Sequence, residues 1–345
     1  MPVISAPELT RFTEEILVAA GVPPHKAAIT TVSLVASNLR GVDSHGIQLV
    51  PFYVDKLLAG KMDPLTDGRV ISESGACLLY DGQNGIGQWI AETCCGHAVR
   101  IAASQGMALV VARESNHFGA AAWWARKMRA AGQIGIVFCN ASPIVPPWQG
   151  KQGRVGTNPI CVSVPGPWLL DMATTTVAAG KVFKAFLNGQ PEIPAGWAFD
   201  SEGVPTTDTA EAYQGMLMPL GGYKGSGLGM MVEILCSVLS GGATPSEVAG
   251  IRSRDKKAGV SQAFIAIDVA RFMPVEEFTA RMEKLVNLVK ATPPAPGYDE
   301  VLVAGDPEWR TEAERRQHGI PLAEGNWEGL CQAAARVKVA APLFR

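Results

Sequence analysis

From about Ser72 the chain changes texture: short β-branched and aliphatic runs alternate with helical stretches, whereas the residues before them and after Pro274 carry helical patterning alone. Strands must be paired and helices must bury a stripe, so this order confines the chain to an α/β (α+β) fold: a central sheet domain flanked by a helical domain built from both ends. The division expected is 1–72 with 272–345 for the helical domain, and 73–271 for the sheet. Strands are expected at Cys77–Tyr80, Met107–Ala112, Gly135–Cys139, Ile160–Val164, Trp168–Met172 and Ala263–Val269. Helices are expected between them at Gln88–Ser104, Ala120–Ala131, Thr175–Phe186 and Gly225–Leu239. In the opening segment Ser5 and Glu8 form a capping-box pattern, and Leu9, Phe12, Ile16 and Leu17 make one apolar stripe that Gly21 ends. Further helices are read at Pro24–Leu39, stopped by Gly41, and at about Ile47–Ala59. Near the other end lie a helix to about Lys290, a breaker at Thr292–Gly297, and a last helix at Trp327–Val337.

Composition narrows the class. A chain of 345 residues exceeds one ordinary core, and 47% hydrophobic content lets it fill more than one. Lys and Arg number 30 against 32 Asp and Glu, with no basic cluster to neutralise a phosphate backbone, so nucleic acid is not an expected partner. The seven cysteines are odd in number and show no C-x-x-C spacing, which reads as reduced thiols in a reducing compartment. The opening residues lack a basic stretch followed by an apolar one, and the most apolar helix, Leu228–Leu239, is interrupted by Glu233 and shorter than the ~20 residues of a membrane span. A soluble, cytoplasmic protein without membrane partners is expected.

Five histidines can be weighed singly. His25 and His318 lie among polar helix residues and read as solvated, and His97 as a packed or surface residue. His45 falls in Asp43-Ser44-His45-Gly46 between two helices, where Ser44 or Asp43 can serve as an N-cap. A histidine held there suits proton exchange near neutral pH, the competing reading being a polar turn residue. His117, in Ser115-Asn116-His117-Phe118-Gly119, follows an apolar strand and precedes a helix, where ligand-contacting loops of α/β domains lie; structural filler is the competing reading. No third ligand stands at helical spacing from either histidine, so no metal is expected. The dinucleotide fingerprint G-x-G-x-x-G is absent: the glycines at 82, 85 and 87 have the wrong order, and those at 225, 227 and 229 lack the strand–helix unit and acidic residue. The stretch Gly221–Gly227 with Lys224 instead opens into a helix, an arrangement that presents N–H groups and a cation to a pyrophosphate or serves only as a surface turn.

Taken in order, Arg40-Gly41-Val42-Asp43-Ser44-His45-Gly46, Ser115-Asn116-His117-Phe118-Gly119, Gly156-Thr157-Asn158-Pro159, Asp171-Met172-Ala173-Thr174-Thr175 and Lys224-Gly225-Ser226-Gly227 resemble the type 2 malate/L-lactate dehydrogenase family over nearly the whole chain. That family includes 2,3-diketo-L-gulonate reductase, ureidoglycolate dehydrogenase, sulfolactate dehydrogenase and cyclic-imine reductases. The resemblance implies a non-Rossmann fold, a homodimer, and a nicotinamide cofactor held by the central domain. It implies cofactor contacts from Trp168, Leu169, Leu170, Asp171, Met172 and Ala173, from Tyr223 and Lys224, and from Val303, Ala304, Gly305 and Asp306. It further implies His45 as proton donor beside Ser44, His117 as a second active-site histidine, and Thr157 and Asn158 on the substrate side. No arginine cluster stands beside Gly180-Lys181 to take a 2′-phosphate, which favours NAD while leaving NADP open.

One departure matters. Relatives commonly carry an arginine three residues after the glycine of Ser-His-Gly, aimed at a substrate carboxylate, where this chain has Leu49. Leucine cannot make that fork. Arg40, Arg154 or an arginine of the partner subunit are the replacements the sequence offers. The leading expectation is an NAD(P)-dependent oxidoreductase acting on a small 2-oxo acid and its 2-hydroxy acid. The alternatives are a cyclic imine carboxylate reductase and, from another class, a non-catalytic dimeric binding protein.

Overall fold

A computed structural model describes residues 2–342. The first part is β1 (Val3–Ile4), α1 (Ala6–Ala19), α2 (Pro24–Leu39), two 3-10 turns (Asp43–His45 and Ile47–Leu49) and α3 (Val50–Leu58). The middle part runs β2 (Arg69–Ser74), β3 (Cys77–Asp81), α4 (Gly87–Gln105), β4 (Met107–Ser115), α5 (Ala121–Ala130), β5 (Gln133–Cys139), β6 (Ile160–Ser163), β7 (Leu169–Met172) and α6 (Ala179–Leu187). It continues with β8 (Ala198–Phe199), β9 (Pro205–Thr206), α7 (Thr209–Gln214), β10 (Met216–Leu217), α8 (Tyr223–Glu233), a π-helical turn (Ile234–Val238) and β11 (Val260–Asp268). A 3-10 turn (Val269–Arg271), α9 (Val275–Lys290), α10 (Asp306–His318), β12 (Ile320–Pro321) and α11 (Glu324–Arg336) close the chain.

Seven strands form one mixed sheet in the order β2-β3-β4-β11-β5-β6-β7. Only β3 and β4 run parallel, joined by the α4 crossover, and every other neighbour is antiparallel. β11 lies in the middle, with Phe264 opposite both Val110 and Val137. This topology is not a doubly wound nucleotide fold, in line with the missing fingerprint. Helices α4 and α5 cover the sheet through a core that includes Ile90, Cys94, Trp124, Met128 and Phe264. A second core joins Leu9, Phe12, Ile16 and Leu34 of the first helices to Ile320 and Leu330 from the far end, so the two ends of the chain meet. β1 pairs with β12 at the same place. A third core, with Val182, Ala198 and Leu217, sits under a small sheet of β8, β9 and β10.

Ser5 caps α1 by accepting from the Glu8 amide, and the expected apolar stripe is buried. Several expected boundaries move, each for a tertiary reason. The helix expected from Thr175 begins only at Ala179, because Thr174–Thr176 bond to the 218–220 segment. The one expected at Gly225–Leu239 starts at Tyr223 and widens into a π turn at Ile234. The one expected at Ile47–Ala59 divides into a 3-10 turn and α3. β2, β8–β10 and α10 were not anticipated: β2 is exposed along its whole length and α10 carries no apolar stripe. All seven cysteines are free thiols, with Cys77 exposed and Cys331 half-buried. Among the described residues no helix is long and apolar enough to cross a membrane.

Candidate functional site

A cleft of about 1140 Å³ opens between the first helices and the sheet, and both His45 and His117 line it. α2 ends at Leu39, and the chain turns sharply through Asp43–His45. Neither Ser44 nor Asp43 is an N-cap here, contrary to the sequence expectation, because Asp43 and Ser44 are spent elsewhere. Asn38, 1% exposed, does that work from the last turn of α2: its carbonyl oxygen accepts from the Ile47 amide at 2.8 Å and its amide donates to Asp43 at 2.7 Å. Arg315 of α10 forks onto the same Asp43 carboxylate at 2.7 and 3.1 Å. Gly46 passes so close that a Cβ would stand 2.1 Å from the Asn38 oxygen. The turn is therefore clamped from two sides, and Ser44 Oγ lies 2.9 Å from His45 Nδ1. With the serine hydroxyl donating, the ring proton rests on Nε2.

His117 sits between β4 and α5. Its Nδ1 accepts from the Gly119 amide at 3.2 Å and lies 2.8 Å from the Tyr53 hydroxyl. A backbone N–H can only donate, so Nδ1 is an acceptor and Nε2 carries the proton. Tyr53 then donates to His117 while accepting from Gln88 Nε2 at 2.8 Å. The two imidazoles stack with centroids 5.7 Å apart. Burial lowers the pKa of His45, and burial together with the His45 charge lowers that of His117 to about 3. Both rings are neutral at pH 7.

The other end of the cleft is built by β7, the start of α5 and the start of α10. Asp171 accepts from the Ala122 amide at 2.8 Å, and crowding by the cleft walls pushes its carboxyl up to about 6 although water still reaches it. Leu169 donates to the Ala304 carbonyl at 3.1 Å, and Asp306 braces the same loop by accepting from the Val303 amide and pairing with Lys290 at 2.9 Å. Beside it lies Arg40, 6% exposed, whose Nε and Nη1 find no partner among the described residues. Burial and the neighbouring Arg126 lower its pKa, against Glu312, Glu308 and Asp171. A buried guanidinium left without hydrogen bonds is costly unless an anion arrives.

Of the residues singled out in the sequence, Ser44, His45, Leu49, His117 and Thr157 line the cleft. So do 169–173 and Val303, Ala304 and Gly305. Five do not. Asn158 is buried and gives its amide to Glu233 at 2.8 Å and to the Gly229 carbonyl at 2.9 Å. Trp168 is half-buried outside the lining, and Asp306 faces its own loop. Tyr223 and Lys224 are exposed at the start of α8, outside the cleft lining, with Tyr223 edge-on to Trp148. Arg154 bonds to Gln152 away from the cleft. Tyr53, Asn38, Arg315 and Arg252 belong to the site and were missed: Tyr53, Arg315 and Arg252 act on partners dozens of residues away, and Asn38 acts across an irregular turn that no periodicity marks. Among the described residues no three His, Cys, Asp or Glu side chains gather to hold a metal.

The sequence and the fold find close counterparts among known proteins. Residues 4–331 match the malate/L-lactate dehydrogenase family. A malate dehydrogenase of Pyrococcus horikoshii is 36% identical over 342 residues, 96% of this chain and 94% of its own. The solved sulfolactate dehydrogenase of Methanocaldococcus jannaschii superimposes with a TM-score of 0.92 at 32% identity, covering 98% of each chain. The delta1-piperideine-2-carboxylate reductase of Pseudomonas syringae gives 0.86 at 29% identity, covering 97% of this chain and all of its own. These are oxidoreductases by name. The chain belongs to the malate/L-lactate dehydrogenase family.

Proposed function

We propose that the protein transfers a hydride between a nicotinamide dinucleotide and a small 2-oxo acid or its 2-hydroxy acid partner, with His45 giving and taking the proton. The observation that carries this reading is the Ser44–His45 pair stacked against a neutral His117 inside the cleft. The cleft also fits an anionic cofactor: Arg40 has two orphaned nitrogens, and the start of α10 contributes Val303, Ala304 and Gly305 beside it. The bound nicotinamide would supply or accept the hydride. Arg40, the 169–173 segment and the 303–305 loop hold it in this reading, with Lys224 outside the lining as a point charge, and Trp168, Tyr223 and Asp306 in supporting places. During reduction the protonated, imidazolium form of His45 donates its proton to the developing oxyanion, Ser44 fixes the ring, and the Nε2–H of His117 polarises the carbonyl. In oxidation the neutral His45, with its Nδ1–H turned onto Ser44 Oγ, accepts the hydroxyl proton at Nε2.

NAD is the cofactor we infer in preference to NADP, since the sequence has no cluster of arginines beside Gly180-Lys181. We also infer a cytoplasmic homodimer, supported by Met230, Ile234, Val238 and Leu239, which are exposed in succession along α8 and the π turn. The helical domain is placed at 1–72 with 272–345 and the cofactor-holding sheet domain at 73–271. Following NADH absorbance with a panel of 2-oxo acids tests the reading, and His45→Ala should lower turnover roughly 100- to 10,000-fold while NADH binding persists. Near wild-type turnover in that variant would remove His45 from the mechanism. The piperideine carboxylate reductase neighbour favours one second reading, reduction of a cyclic imine carboxylate. Including cyclic imines in the panel separates the two.

A further inference from the structure

Five cations line the cleft: Arg40, Lys56, Arg126, Arg252 and Arg254. Three are already satisfied. Lys56 donates to the Lys256 carbonyl at 2.8 Å, Arg126 faces Glu312 at 3.4 Å, and Arg254 pairs with Asp55 at 2.6 Å. Arg40 lies at the end built by Asp171 and α10. Arg252 therefore remains as the one guanidinium at the opposite end without a hydrogen bond or carboxylate among the described residues. Its Cζ stands 4.3 Å from the ring centroid of Phe183 and 5.7 Å from that of Phe52, and both rings line the cleft. Aromatic faces restrain a guanidinium without using its N–H groups, which point outward along its edge and stay free to fork onto a carboxylate.

Two tethers place that head beside the reacting centre. Phe52 follows Leu49 by three residues where the 3-10 turn runs into α3, so the two side chains share a face, and Leu49 itself is the fourth residue after His45. Phe183 follows Gly180 by three residues on α6, and a Cβ on Gly180 would lie 3.2 Å from the Ser44 Cβ. Each aromatic ring that carries Arg252 is thus one helical turn, about 5.4 Å of rise, from the Ser44–His45 turn or its extension. Leu49, 7% exposed, fills the place from which the resemblance expects an arginine, and the surrounding wall of Leu49, Phe52, Phe183 and Ile251 is apolar.

We propose that Arg252, carried by the 249–254 loop and stacked between Phe52 and Phe183, is the substrate-carboxylate partner of this enzyme, in place of the helix-borne arginine that Leu49 displaces. One free guanidinium at that end matches one carboxylate. The substrate class is a 2-oxo monocarboxylate with an apolar side chain, its carboxylate on Arg252 and its tail against Leu49 and Ile251. This inference rests on the proposed hydride-transfer reading.

The test compares kcat/KM for 4-methyl-2-oxopentanoate and for its primary amide in the wild type, Arg252→Ala, Arg252→Lys and the double variant Leu49→Arg/Arg252→Ala, with thermal melting as a fold control. Loss of a charged fork should cut the acid-to-amide ratio of Arg252→Ala roughly 10- to 100-fold, with Arg252→Lys between it and wild type and the double variant regaining part of the ratio. A merely structural role would lower acid and amide in parallel. A parallel fall, or an unchanged ratio in an active enzyme, overturns the assignment and leaves the hydride-transfer reading standing. A wild type that reduces no 2-oxo acid and no cyclic imine overturns that reading, and the role of Arg252 with it.

Discussion

Replacing Gly46 with alanine tests how the His45 turn is held. Gly46 has φ −96° and ψ −152°, a backbone any residue adopts, so the whole effect of a methyl group is one of space. The new Cβ would stand 2.1 Å from Asn38 Oδ1, 2.5 Å from its Cγ and 2.7 Å from its Nδ2. Asn38 is 1% exposed and cannot swing into water, so it must surrender its bonds to Asp43 and to the Ile47 amide. One of these has a charged partner, and together they are worth about 2–4 kcal/mol. Stability should fall by about that amount. Turnover should fall further, because a turn displaced by about 1 Å moves the imidazole off the reacting atom at a cost of roughly 100-fold. Calorimetry and steady-state kinetics on the same preparation read both. Adding Asn38→Ala makes room for the methyl, so the double variant should be no worse than Asn38→Ala alone. Wild-type melting and turnover in Gly46→Ala, or full additivity in the double variant, would refute the clamp.

Acidification should weaken the fold through the buried imidazoles. His117 titrates at about 3 when folded against an ordinary 6.5, so below pH 6.5 the unfolded chain binds a proton that the folded chain does not. Stability then falls as pH drops through that window, by about 2 kcal/mol at pH 5 from His117 alone, and urea midpoints from pH 7 to 5 measure it. Because burial also keeps His45 neutral at pH 7, oxidation of a hydroxy acid should lie on its plateau there, while reduction slows as pH rises; paired pH profiles check the opposite slopes. Arg40→Met should raise the melting temperature of the cofactor-free protein, by about 1–3 kcal/mol of stability, and weaken NADH binding, which melting with and without NADH resolves. A loss of stability would show that Arg40 is not an unpaired charge awaiting an anion.

The legible parts of the fold were those written in local pattern. α2 was read at its observed bounds because its proline start and glycine stop are local signals. α10 was missed because Asp306–His318 is polar on every side and is held by ion pairs to partners far along the chain, Asp43 and Arg126 among them. The short strands β8–β10 span two residues each, below any periodicity. Likewise His45 and His117 stood out as chemistry-bearing residues in loops, but what tunes them did not: Tyr53 reaches His117 across 64 residues, and Arg315 reaches Asp43 across 272. Asn158 carried a motif-like setting, yet its amide is turned toward Glu233.

The position of β11 bears on how the chain is made. Its neighbours β4 and β5 are complete by Cys139, but the strand that separates them begins at Val260. A ribosome adding about 5–20 residues per second leaves them waiting on the order of ten seconds with their facing edges unpaired. Those edges include Val110, Val111 and Val137, and an apolar, unpaired strand is a template for the wrong partner. β11 enters a gap already flanked on both sides, so the sheet is completed from its centre rather than its rim. The nascent sheet therefore depends on α4 and α5, which precede or accompany those strands, to shield the face that carries Val110 and Val137 until the keystone strand emerges.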